Sequence, residues 1–176
     1  MELSPTAYVI LGMLAWGPKS GYDIKTTVDQ STRFFWAASY GQIYPELRRL
    51  SEAGLVEGEA EAGSGRRRMV YRLTTAGHEA LAAWLEEEPQ TFEMRDEALL
   101  KLFFASAAPG TAAASLDAKR GYHEAKVKQL RAIEATGKPQ GYAAVVLRFG
   151  IESSEWMADW CGREAERLRE AEAARP

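Results

Sequence analysis

The chain is poor in the residues that build cross-links and metal centres. Its 176 residues include one cysteine, Cys161, and two histidines, His78 and His123. A lone cysteine excludes an internal disulfide framework and fits a reducing cytoplasm. Neither histidine has a cysteine or second histidine at metal-ligand spacing, so no zinc site is expected. Cys161 and His123 lack a recognisable oxyanion site or orienting acid, which argues against a catalytic pair. The thiol reads as a buried or interface residue, with redox sensing at a dimer seam as the competing reading. No enzymatic activity, cofactor or metal is expected. Long apolar runs are missing too, and none reaches the roughly 18 residues of a transmembrane helix. The opening residues, MELSPTAYVILGML, hold no basic segment of the kind that begins a signal peptide, so a cytoplasmic location is expected.

An excess of positive charge is also absent. Formal net charge is −3, with 9 Lys/Arg against 12 Asp/Glu over residues 1–90 and 13 against 13 over 91–176. That balance argues against an indiscriminate nucleic-acid binder, so any DNA footprint must be local. The one basic run is Arg66–Arg67–Arg68, with Arg72 nearby.

The chain does have an organising stretch, Ser39–Leu55, reading SYGQIYPELRRLSEAGL. Ile43, Leu47 and Leu50 follow the four-then-three spacing of one buried helical stripe. Ser39 suits an N-cap and Gly54 a helix stop. Gly41, Pro45 and Arg48 lie opposite the stripe, with Gln42, Tyr44 and Arg49 on its flanks. Pro45 inside the helix removes an internal hydrogen bond, so either the first turn is distorted or the regular helix begins nearer Tyr44; the helix is kept, with a kink expected at Pro45. A strand candidate at 55–61, a Gly63–Ser64–Gly65 turn and a second strand candidate at 66–73 follow. Helix, then two-stranded ribbon with arginines at its tip, is the order of a winged helix-turn-helix. Ser39, Tyr40, Gln42, Tyr44 and Arg48 are the candidate DNA-contacting residues of the helix. Hydroxyls position a helix on phosphates, while Gln and Arg can pair with base edges. Arg66, Arg67 and Arg68 are the candidate wing contacts to phosphate or minor groove. The competing readings are a solvated charge run for the arginines, a core position for Tyr44 and mere exposure for Gln42.

On these residues the chain resembles the PadR family of bacterial transcriptional regulators. The segments that carry the resemblance are GYDI (21–24), FWAASYGQIYPELRRLSEAGLV (35–56) and YRLTTAGHEAL (71–81). DEALLKLFFA (96–105) and LRFGIESSEWMADW (147–160) are similar to the helical C-terminal domain of the longer PadR subgroup. The resemblance implies a homodimeric regulator, most often a repressor, that answers small aromatic or drug-like effectors such as phenolic acids.

Elsewhere the pattern is helical. Ser4–Pro5 opens a first helix with Tyr8, Leu11 and Leu14 inward, ended by Gly17–Pro18. Ser20 caps a second helix that carries Tyr22, Ile24 and Val28, and Phe34–Phe35–Trp36 reads as hydrophobic mortar between the first three helices and the dimer domain. Thr74 or Thr75 caps a helix with Leu81, Trp84 and Leu85 inward. Leu99, Leu102 and Phe103 mark a fifth helix. Two long helices follow, 111–135 and 141–173, the latter with a tail from Arg163 expected to fray. Tyr142, Val146, Phe149, Trp156 and Trp160 recur along the last helix at near-heptad spacing, a seam that wants a partner. Trp36, Phe103, Trp156 and Trp160 are candidate effector-stacking residues, with packing of a dimer core as the plainer account.

The expected protein is mainly α: an N-terminal winged helix-turn-helix with a two-stranded β-wing (1–88) plus an α-helical C-terminal dimerisation domain (89–176). Two recognition helices would enter successive major grooves of a pseudo-palindromic double-stranded operator, about one helical turn apart. The alternative is a winged helix used for protein–protein contact without DNA.

Overall fold

The computed structural model describes residues 3–60, 68–89, 95–108 and 110–174. The chain divides into two compact units, Met1–Gln90 and Thr91–Pro176.

In the first unit the order is α1 (Pro5–Ala15), β1 (Lys19–Ser20), α2 (Gly21–Gln30), a 3₁₀ turn (Thr32–Phe34), α3 (Tyr40–Glu52), β2 (Val56–Ala60), β3 (Met69–Leu73) and α4 (Thr75–Glu86). Side-chain caps set the starts. Ser4 accepts from Ala7 N–H, with Pro5 in the first turn, where a missing N–H costs nothing. Ser20 and Asp23 close a reciprocal capping box on α2. Thr74 accepts from Gly77 N–H to start α4. α3 ends in a Schellman motif: Leu55 N–H donates to Leu50 C=O (2.9 Å) and Gly54 N–H to Ser51 C=O (3.0 Å). Gly54 takes φ +70°, the left-handed conformation that glycine adopts without strain.

The core of this unit gathers Ile10, Leu11, Ile24, Val28, Ile43, Leu47, Leu50 and Val56, all at or near zero exposure. Each such side chain contributes about 1.5–3 kcal/mol by leaving water. The three strands form one antiparallel sheet in the order β1-β3-β2. Gly58 of β2 faces Tyr71 of β3, which in turn faces Lys19 of β1. The two-residue β1 has no sequence signature of its own, since its pairing is with a strand some fifty residues away.

The second unit consists of α5 (Glu97–Phe103), a 3₁₀ turn (Ala105–Ala107), α6 (Ala112–Ala135) and α7 (Tyr142–Ala173). α6 and α7 pair along their length. Ala113, Leu116, Cys161 and Ala165 are buried together, with Leu102, Met157, Trp160 and Leu168 packed around them. Asp96 caps α5 by accepting from Leu99 N–H (3.1 Å) and pairs with Lys119 of α6.

Several expectations are settled or corrected. The helix kept through Pro45 stands, and of the two readings of its start the structure takes the earlier, at Tyr40. Leu85 of α4 points outward rather than into a core. Trp84 is itself partly exposed, one face stacked on Tyr8 at 4.5 Å between ring centroids. The tail beyond Arg163 does not fray, since α7 continues to Ala173 with Ala165 fully buried.

Candidate nucleic-acid interface

The buried stripe of α3 fixes what its opposite face offers. With Ile43, Leu47 and Leu50 turned into the core, Tyr40, Gly41, Gln42, Tyr44, Pro45, Arg48 and Arg49 are left in solvent. Tyr44 is 49% exposed, which excludes the core reading for it. The Arg48 guanidinium makes no ion pair among the described residues, whereas Arg49 lies 3.6 Å from the carboxylate of buried Glu46.

Ser39 and Gln42 do something the sequence did not announce. The Gln42 side-chain oxygen accepts from both the amide (2.9 Å) and the hydroxyl (3.0 Å) of Ser39. Both lone pairs are thereby engaged, and bidentate reading of adenine requires that oxygen as an acceptor. Gln42 is first a helix cap, and it can read an adenine edge only by leaving the cap.

The wing is braced by charge. Arg72 on β3 pairs with two carboxylates of β2, Glu57 at 2.8 Å and Glu59. It is therefore a strut within the ribbon. Arg68, at the foot of β3, donates to Asp23 of α2. Burial alone works against ionisation of Asp23. The Ser20 hydroxyl, the Ser20 amide and Arg68 outweigh it and hold the carboxyl below its ordinary range. Arg66 and Arg67 lie outside the described residues, as does the Gly63–Ser64–Gly65 turn.

The aromatic candidates fall into separate groups. Trp36 lines a shallow groove in the first unit with Pro5, Thr6, Phe35, Ala37 and Gln42. In the second unit Trp156 and Trp160 stack at 6.5 Å with 21° between planes, and Phe103 meets Phe104 edge-on at 5.1 Å. Along α7, Tyr142, Val146, Phe149 and Trp156 are exposed, while Trp160 is half-buried against the Leu116–Cys161 cluster of its own chain.

The remaining polar chemistry lies between α5, α6 and α7. Burial pushes the Cys161 thiol up; Lys119 opposes that and Asp96 adds to it, so the thiolate is disfavoured. Burial also lowers the His123 pKa, helped by Lys119 and Lys126 and opposed by Asp96. No group of His, Cys, Asp and Glu fit to hold a metal occurs among the described residues. No helix among them is long and apolar enough to cross a membrane.

Known proteins share this arrangement. Residues 10–83 match the model of the transcriptional regulator PadR-like family, and residues 94–169 match that of the virulence activator alpha C-terminal region. The negative transcriptional regulator PadR of Bacillus subtilis is 37% identical over 101 residues, an alignment that spans 56% of this chain and 56% of that one. The structure of Bacillus subtilis PadR in complex with operator DNA superposes with a TM-score of 0.83 at 26% identity, covering 95% of this chain and 99% of that one. The complex of the same protein with p-coumaric acid gives a TM-score of 0.75, covering 96% and 99%. With a winged helix-turn-helix matched in one unit and the paired long helices matched in the other, the chain belongs to the PadR-like family of transcriptional regulators.

Proposed function

We propose that this protein is a homodimeric, sequence-specific DNA-binding regulator, acting as a repressor that a small aromatic acid releases from its operator. The observation that carries the reading is the outward face of α3. A helix whose stripe is wholly buried presents Tyr40, Tyr44 and Arg48 beside a braced two-stranded wing. Its fold follows that of a PadR caught on operator DNA along nearly the whole chain. Tyr40, Tyr44 and Arg48 enter the major groove, with Ser39 at the helix start near phosphate. Arg66 and Arg67 are assigned to the flanking backbone, and Arg68 reaches it only with donors other than the one given to Asp23. The apolar face formed by Tyr142, Val146, Phe149 and Trp156 is assigned to the second protomer, with Trp160 at its margin.

Release by an aromatic acid rests on the p-coumaric acid complex of Bacillus subtilis PadR and on the aromatic side chains Trp36, Phe103, Trp156 and Trp160. An effector works only through unequal affinity for the DNA-bound and free states. The test is fluorescence anisotropy with duplex from upstream of the protein's own gene, across a salt series. The expected result is tight binding that unlabelled random duplex does not displace, that falls steeply with salt, and that p-coumaric acid reverses. Binding no tighter than to random duplex, with a genome-wide pull-down that enriches no site, overturns the reading.

A further inference from the structure

An aromatic ladder crosses from α2 to α3, and its first rung lies outside the recognition helix. Tyr22 stacks on Tyr40 at 6.5 Å between centroids and 20° between planes, and Tyr40 stacks on Tyr44 at 6.1 Å and 19°. All three rings face solvent, with Tyr22 62% exposed. The ladder is held from two sides. The Lys25 ammonium lies 5.5 Å over the Tyr40 ring and is itself fixed by Asp29. Under Tyr44 sits Gly21, where a Cβ would come within 2.6 Å of the ring and 3.2 Å of Leu47 Cδ1. The missing side chain of Gly21 is the seat on which the ladder rests.

Stacked tyrosines offer large, rigid contact area at small entropic cost, each ending in a hydroxyl. In a helix-turn-helix the first helix crosses the DNA backbone while the second lies in the major groove. Tyr22 belongs to the first helix, and Tyr40 and Tyr44 to the second. Asp23, the next residue, would repel phosphate if free, but its carboxylate is occupied by Ser20 and Arg68.

We infer that Tyr22 is a DNA-backbone contact whose phenolic hydroxyl donates to a phosphate at the edge of the groove that receives α3. Its stack on Tyr40, seated through Tyr44 on Gly21, couples that contact rigidly to the recognition helix and so sets its depth of entry. Gly21 is a positioning residue in this arrangement. The inference rests on the DNA-binding reading above.

Phosphate contacts carry no sequence information, so the test does not require the operator. Full-length wild type, Y22F, Y22A and G21A are titrated into a labelled random duplex at low salt, with Tm measured for each. Y22F keeps the ring and loses only the donor. It is expected to weaken binding about tenfold, as befits a hydrogen bond to a charged acceptor. Its salt slope stays at the wild-type value because no cation is lost. G21A is expected to weaken binding at an unchanged salt slope, since it displaces Tyr44 without removing a donor, with a small fall in Tm from crowding of the buried Leu47. Y22F binding at wild-type strength overturns the inference, as does a loss in Y22A alone that tracks a fall in Tm, which marks packing. A wild type that binds no duplex at low salt sinks the DNA reading and this inference together; a wild type that binds beside an unaffected Y22F sinks this inference only.

Discussion

Arg68 at the foot of the wing donates to the carboxylate of Asp23 at the start of α2, forty-five residues earlier in the chain. One carboxylate thus serves two elements, closing the capping box with Ser20 and anchoring the wing's returning strand. Asp23 has a folded-state pKa below its ordinary 3.8. Its contribution to stability is therefore complete above the unfolded value and disappears as pH falls through the lowered folded value. Thermal melts between pH 5 and about 2 should show wild type losing stability over that interval. D23N should melt lower than wild type at pH 5 and show a shallower acid slope. Equal slopes would mean that Asp23 is not the group titrating.

Gly77 marks a close approach of a different kind. A Cβ there would sit 2.0 Å from the carbonyl oxygen of Leu55, which is backbone and already accepts from Thr74 N–H. G77A must push α4 away from the loop after α3, and overpacking of this sort costs about 1–3 kcal/mol or more. Urea denaturation should show a lowered midpoint with little change in slope. At Gly121, an exposed site on α6 where an added Cβ meets nothing, G121A should instead be neutral or stabilising by up to about 1 kcal/mol.

Much of the fold was legible because its signals are local. Ser4, Ser20, Ser39 and Thr74 each precede their helix by one residue, and Gly54 supplies the positive φ that ends α3. The stripe Ile43–Leu47–Leu50 fixed which face of α3 is outward, and with it the exposure of Tyr44 and Arg48. Long-range relationships were not legible. The pairing of β1 with β3, the Asp23–Arg68 contact and the Gly21–Tyr44 fit join residues far apart in sequence. Tyr22, two residues from the buried Ile24, is too near it in sequence to share its helical face and so points outward. Leu85, expected inward, is exposed, since apolar periodicity does not say whether the covering surface lies within the unit.

His123 gives a pH dependence of opposite origin to Asp23. Its ring is half-buried, its Nδ1 has no hydrogen-bond partner among the described residues, and Lys119 and Lys126 flank it on α6. Asp96 of α5 faces the same region and opposes their effect, but is itself committed to Lys119. The folded state therefore resists protonation, and its pKa lies below the ordinary 6.5. A depressed histidine leaves stability complete above the unfolded value and erodes it as pH falls below that value, because the unfolded chain takes up the proton first. Melts between pH 7.5 and 5 should show wild type losing stability and H123Q holding nearly level. An H123Q profile parallel to wild type would place the titrating group elsewhere.

The strongest quaternary prediction concerns Phe149, which is 69% exposed midway along the apolar face of α7, one turn beyond Val146. If that face meets a second protomer, F149E places a charge in a desolvated seam without disturbing the α6–α7 core, which uses Ile151, Ala158, Cys161 and Ala165 instead. Light scattering should report a dimer for wild type and a monomer for F149E at micromolar concentration, with circular dichroism showing the helices intact. Binding to a two-half-site operator should then weaken on the order of a hundredfold, because each recognition helix loses the effective concentration its partner supplied. Binding to a single half-site should barely change. A dimeric F149E would move the interface off this face of α7. A monomeric one that still bound the full operator at wild-type strength would mean that the two half-sites are read independently.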